Sequence, residues 1–184
     1  MNNSMVFALG GYSESGKSSS GRYMERLGYK RIKIADIYRR VYEESHSTVD
    51  FKDWSYWIDR VNPRWIGDRF YEKLVADLHA SGHQNCTIES LYGDILASQL
   101  RRHLGEHFQV IFIDIDRDVR LQRQMHRENL NSVEEAALLL DPRDEQKRQW
   151  GADRVKEIAD HVVDNSSTMA DLEAQLDAIA KGKM

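Results

Sequence analysis

The sequence predicts an α/β fold of three layers, with a five-stranded parallel sheet covered by helices on both faces. Short, nearly all-apolar runs alternate with amphipathic stretches, the pattern of strands that are buried on both sides. The chain has 184 residues, 41% hydrophobic and 30% charged, which suits one core rather than two.

Met5 to Leu9 reads as the first strand, stopped by Gly10-Gly11. Helical spacing follows over 17–27. A second strand fits Arg31 to Ala35, and Asp36 can cap the helix that carries Tyr38, Val41 and Tyr42. From Asp50 to Ser81 the pattern is helical and rich in Trp and Tyr, with Pro63 suited to a helix first turn. Cys86 to Glu89 is the third strand, Val110 to Asp114 the fourth and His161 to Asn165 the fifth. Helices are expected over 93–104, 117–128, 142–159 and 168–181, and the strand order 2-3-1-4-5.

The formal net charge of -4 does not favour a nucleic-acid polymer or an anionic membrane as partner. A single cysteine, Cys86, excludes an intramolecular disulfide and suits a reducing compartment. Met5 to Leu9 has no basic leader, and no stretch reaches the ~20 apolar residues that span a bilayer. A cytoplasmic protein, monomeric or weakly self-associating, is the expectation.

One segment carries chemistry. Gly11-Tyr12-Ser13-Glu14-Ser15-Gly16-Lys17-Ser18 fits G-x-x-x-x-G-K-[ST] without exception and lies between the first strand and the first helix. The glycines let backbone N–H groups turn inward around phosphate oxygens, and the helix N-terminus adds positive potential. The expected phosphate-binding set is Gly11, Ser13, Glu14, Ser15, Gly16, Lys17, Ser18 and Ser19. Lys17 would hold the β- and γ-phosphates of ATP, and Ser18 would offer its hydroxyl to Mg²⁺.

The rest of the chain points to a small-molecule kinase within this class. No Asn-Lys pair occurs, so a guanine-reading segment is missing. Ile111 to Asp116 lacks the neighbouring Glu of a motor-type ATPase, although a regulatory, non-catalytic P-loop ATPase stays open. A kinase needs an acidic group near the metal, an acceptor site and a mobile basic lid. Asp36 follows the second strand and Glu89 ends the third, both at the edge where open α/β sheets bind ligands. Asp36 is the candidate base for an acceptor hydroxyl, and Glu89 is the candidate metal support, with Asp114 as its competitor. Arg120, Arg123 and Arg127 share one helical face, and Arg143 completes a two-helix lid over about 117–145. Arg127 and Arg143 are the preferred catalytic pair.

Residues 51 to 71 interleave Phe51, Trp54, Tyr56, Trp57, Trp65, Phe70 and Tyr71 with Arg60, Arg64 and Arg69. Aromatic faces with arginines suit a base-plus-phosphate acceptor. Aromatics at helical spacing also build cores, and both readings stand. The acceptor region is expected over about 46–82 within a single domain of residues 1–184.

The chain resembles the nucleoside monophosphate kinase-like group, and within it dephospho-coenzyme A kinase and related small kinases of archaea and bacteria. The likeness runs from the P-loop through Ala35-Asp36-Ile37-Tyr38-Arg39-Arg40-Val41, similar to that family's Asp-Ala-Asp-x-x-Ala-Arg segment. It resumes at Arg120 to Ser132, similar to the lid helix and followed by Ser132-Val133-Glu134-Glu135-Ala136, and again at Ala159 to Ser167. It implies that Asp36 is the catalytic aspartate, that Arg40 is the arginine that follows it, and that the loop bearing Asn165 lies against adenine; with Arg64 of the aromatic region and Glu89 of the third strand, Asp36 and Arg40 make up the expected substrate-binding set. The family's first aspartate is Ile34 here, and its His-Pro-x-Val/Ile-Arg segment is replaced by Asn62-Pro63-Arg64-Trp65-Ile66. Those departures leave the acceptor open between a dephospho-coenzyme A-type alcohol and a nucleoside monophosphate. Asp36 favours the alcohol, because a phosphate acceptor is already ionised and needs no base.

Overall fold

The computed structural model describes residues 4–61, 63–82 and 85–182, with the side chains of residues 56, 59–61 and 63–67 outside the description. Its strands are β1 (Val6–Gly10), β2 (Lys30–Lys33), β3 (Cys86–Leu91), β4 (Phe108–Asp114) and β5 (His161–Asp164). They form one parallel sheet of order β2-β3-β1-β4-β5, as the sequence predicts. Helices α1 (Lys17–Arg26), α2 (Ile34–Glu44), α3 (Phe51–Val61), α4 (Pro63–Ala80), α5 (Asp94–Leu104), α6 (Arg117–Glu128), α7 (Val133–Trp150), α8 (Ala152–Glu157) and α9 (Met169–Ala180) connect and cover it.

The period-2 alternation of the strands sorts the core into two layers. Val6, Ala8, Ile88, Val110 and Phe112 face α2–α5 and α8, where Trp54, Phe70, Leu74, Leu100 and Val155 are buried. Phe7, Leu9, Ile111 and Ile113 face α1 and α9 and meet Met24, Leu172, Leu176 and Ile179. β1 is therefore apolar along its length and β4 is apolar from Val110 to Ile113, the feature that makes the sheet readable from sequence. Of the described aromatic side chains over 51–71, Phe51, Trp54, Phe70 and Tyr71 pack into this layer. Trp54 and Phe70 are 2% and 5% exposed, and Tyr42 packs edge-on against both Phe51 and Trp54. Trp57 stays outside, 54% exposed.

Two boundaries differ from the sequence expectation. The second strand stops at Lys33, and Ile34 and Ala35 belong to α2. Ile34, Ile37, Tyr38 and Val41 recur at helical spacing and all pack on the core, so the helix claims them. Lys33, not Asp36, occupies the N-cap, and no side chain caps this helix. Near the lid, a helix expected from Pro142 begins instead at Val133 and runs through that proline. The Ser132 hydroxyl accepts from the Glu135 N–H at 3.2 Å, and the Glu135 carboxylate accepts from the Asn131 N–H at 3.0 Å. This start, plus burial of Ala136 and Leu140 against Leu121, outweighs the proline. The carbonyl it leaves without its usual N–H belongs to Leu138, 76% exposed and open to water. Gly151, at φ 103, ends α7 and starts α8.

Candidate functional site

The loop between β1 and α1 has a backbone shape that only its sequence permits. Gly11, Glu14 and Gly16 have φ of 138, 58 and 100, which turns successive N–H groups toward one concavity. A Cβ at Gly11 would sit 2.7 Å from the Ile113 carbonyl oxygen, and one at Gly16 would collide with the Asn165 amide nitrogen. Helix α1 has no side-chain cap and no acidic residue in its first turn, so its N–H groups and positive end face the loop. Lys17 is 7% exposed. Its Nζ donates to the Tyr12 carbonyl at 2.5 Å and to Ser15 Oγ at 3.4 Å. Burial, then the neighbouring Lys147 ammonium, lowers its pKa to about 7.

On the β3 side, Ser18 Oγ donates to Glu89 Oε1. Glu89 is 6% exposed, and its other oxygen accepts from Arg31 Nε and pairs with the same guanidinium, both at 2.6 Å. Just past Glu89 the strand bulges. Ser90 has φ 77, and the register slips so that Gly10 lies opposite Leu91, a device that re-aims side chains at sheet ends. Asp114 instead pairs with Lys156 at 2.7 Å on an exposed surface. Of the two acidic candidates, Glu89 is the one in contact with Ser18. Hard oxygen donors beside a phosphate cradle fit Mg²⁺, which is commonly held by one or two carboxylates together with phosphate oxygens.

The α6–α7 hairpin closes on the loop and takes every polar group of Ser13. The Asp144 carboxylate accepts from the Ser13 N–H at 3.1 Å, Arg120 reaches the Ser13 carbonyl at 3.4 Å, and Lys147 Nζ donates to Ser13 Oγ at 2.5 Å. Arg120 and Asp144 form an ion pair with side chains only 8% and 3% exposed. Arg123 donates to the Asn165 carbonyl at 2.9 Å and to the Glu14 carbonyl at 3.4 Å, and Arg127 pairs with the Glu14 carboxylate. Burial lowers the pKa of Lys147 to about 8. Arg120 Nε and Gln124 Nε2 are buried without an acceptor among the described residues. Each such orphan N–H costs about 1–3 kcal/mol, and both belong to the helix that faces the phosphate loop.

Other expected site residues stand apart. Asp36 is exposed in the first turn of α2, three residues past Lys33, which is in register with Glu89. Among the described residues no hydrogen bond or ion pair uses its carboxylate. Arg40 is committed to Asp77 of α4. Arg143 is exposed, and no hydrogen bond among the described residues joins it to the loop. The side chains of Arg60, Arg64 and Trp65 lie outside the described residues. Asn165 is buried, and its amide donates to the Ser15 carbonyl at 2.7 Å, so it clamps the loop backbone. Ser19 accepts from Arg22 at 3.2 Å. Sequence reasoning missed Arg31, Tyr92, Asp144 and Lys147. The signal of Arg31, Asp144 and Lys147 was only charge at helical or strand spacing, which solvated faces share, and Tyr92, whose ring lies 5.6 Å from Lys17 Nζ and 5.2 Å from Lys147 Nζ, had no signal beyond following a strand.

No protein-family model matches the chain. It is 25% identical over 169 residues to a UPF0200 protein of Methanosarcina barkeri, covering 89% of this chain and 88% of the relative. A UPF0200/UPF0201 protein of Archaeoglobus fulgidus is 24% identical over 180 residues, covering 90% of this chain but 52% of the relative, so the chain spans about half of that protein. Among solved structures, a dephospho-CoA kinase from Campylobacter jejuni superposes with a TM-score of 0.61 at 19% identity, covering 100% of both chains. A shikimate kinase from Bacteroides thetaiotaomicron gives 0.58 at 13% identity, covering 96% of this chain and 97% of the other. The loop, the parallel sheet and these likenesses together identify the fold as that of the P-loop small-molecule kinases.

Proposed function

We propose that this protein is an ATP-dependent phosphotransferase that moves the γ-phosphoryl group of Mg-ATP to a small, nucleotide-like acceptor. The observation that carries the reading is the closure of a basic helical hairpin onto a P-loop whose helix start is left without a cap. Such a hairpin supplies positive charge where a transferring phosphoryl group needs it and keeps water away. The solved structures of similar fold include a dephospho-CoA kinase and two shikimate kinases, which supports a small-molecule acceptor.

In this reading Lys17 and the loop N–H groups hold the phosphate chain. Ser18 and Glu89 hold Mg²⁺, which when bound neutralises charge that develops on the phosphate oxygens. Arg31 fixes the Glu89 carboxylate. Arg120, Arg123 and Arg127 bring the hairpin's charge to the loop, while Arg143 stands at its outer edge. Asp36, with no described partner, accepts the proton of an acceptor hydroxyl as its oxygen bonds to phosphorus and the β–γ bridge breaks to release ADP. A base at this position favours an alcohol of the dephospho-coenzyme A type over a nucleoside monophosphate.

The test is ADP release by the purified protein with Mg-ATP, screened against dephospho-coenzyme A and the nucleoside monophosphates, with Lys17→Ala as control. Acceptor-dependent release that disappears in Lys17→Ala is expected. ATP binding without acceptor-dependent release would replace the kinase with a regulatory P-loop ATPase.

A further inference from the structure

We infer that Lys147, carried by the lid helix α7, is a second phosphate-holding lysine of the site and contacts the terminal phosphate of the bound nucleotide. The inference rests on the nucleotide-binding reading above and adds a residue that the Walker-type motif does not contain.

The loop has different neighbours on its two sides. On the β5 side, Asn165 and Arg123 meet the loop at Ser15, Glu14 and Gly16. On the β3 side, the loop meets Glu89 through Ser18 and faces Tyr92, which follows β3. The sheet order puts β1 and its loop between these two edges. A phosphate chain whose β- and γ-phosphates sit at Lys17 therefore has its terminal group on the side of Ser13 and Tyr92, which the Lys17 ammonium faces. Lys147 stands there. Its Nζ donates to Ser13 Oγ at 2.5 Å and lies 5.2 Å from the centre of the Tyr92 ring, while Lys17 Nζ lies 5.6 Å from the centre of that same ring.

Two lysines that share one aromatic ring repel one another. Asp144 and Glu14 offset part of that charge, but Asp144 is already paired with Arg120 and Glu14 with Arg127. An oxyanion placed between the two ammonium groups removes the repulsion and gives each a charge-assisted partner. Because Lys147 belongs to the hairpin and Lys17 to the loop, the terminal phosphate then ties the lid to the base of the site. A diphosphate lacks the group that makes this bridge.

The experiment measures equilibrium affinity of wild type, Lys147→Met and Lys147→Arg for Mg-ADP and for a non-hydrolysable Mg-ATP analogue. Loss of one charge-assisted contact should weaken the triphosphate about tenfold to a hundredfold, leave the diphosphate within about twofold, and be partly restored by arginine. Equal weakening of both nucleotides, or of neither, would overturn the inference while leaving the kinase reading in place. Wild-type protein that binds neither nucleotide would remove both. A urea midpoint for Lys147→Met no lower than that of wild type separates a lost contact from a lost fold.

Discussion

Removing the Asp144 carboxylate should destabilise the protein more than removing Asp144 and Arg120 together. The two side chains are 3% and 8% exposed, and Asp144 also receives the Ser13 N–H. In Asp144→Ala the guanidinium stays buried without its counter-charge. Breaking one half of a buried pair typically costs about 3–5 kcal/mol, whereas replacing both halves with apolar groups is often neutral. The pair sits at the junction of the hairpin with the loop and outside the apolar core, which places this case near the lower end, about 3 kcal/mol. With a urea m-value of about 2 kcal/mol/M for a chain of this size, the unfolding midpoint of Asp144→Ala should fall by about 1.5 M. Arg120→Met/Asp144→Leu should recover most of that loss, followed by tryptophan fluorescence. A single variant within about 0.3 M of wild type, or a double variant less stable than the single, would refute the reasoning.

Glu89→Gln keeps the shape of the side chain but removes the charge that Ser18 and Arg31 share. The Mg²⁺ concentration for half-maximal turnover should rise about 10–100-fold, while Asp114→Asn, which touches only the Lys156 pair, should leave it unchanged. The unliganded protein should also gain stability as pH rises from about 8 toward 10. The folded-state pKa of Lys147 is lowered to about 8 from 10.5, so in that window the unfolded chain binds a proton that the folded one does not. Below pH 8 both states carry the charge and that contribution is gone. Burial is the main cause of this lowering; of the charges that face the ammonium, Asp144 and Glu14 oppose it and Arg120 and Arg143 add to it. Urea midpoints for wild type and Lys147→Met across pH 7–10 test it, since the variant should lack this part of the slope.

The sheet was legible because every central strand is buried on both faces, so Val6 to Leu9 and Val110 to Ile113 carry no polar interruption. The phosphate loop was legible because its backbone conformation demands glycine at fixed positions. Glu89 could be placed by its position at a strand end. Lys147 and Asp144 could not, because α7 presents charged residues on several faces and only packing of Leu121 on Ala136 and Leu140 decides which turn toward the loop. Arg31 was hidden for a similar reason. A strand reading assigns it to one face of β2, but only the pairing of β2 with β3 brings it to Glu89. The start of α7 escaped because Pro142 marks a helix beginning by propensity, while the Ser132 cap and the buried residues after it set the boundary.

Gly21 lies one turn beyond the loop, inside α1, where glycine costs about 0.5–1 kcal/mol relative to alanine. A Cβ there would stand 3.0 Å from both Arg31 Nε and Glu89 Oε2. The helix therefore gives up propensity so that an ion pair can pass against its backbone. Divergent proteins that keep this arrangement should extend the Gly16-Lys17-Ser18 signature by a glycine at the position of Gly21, together with an arginine on the second strand and a glutamate on the third. That combination offers a way to recognise such chains when overall sequence similarity has faded.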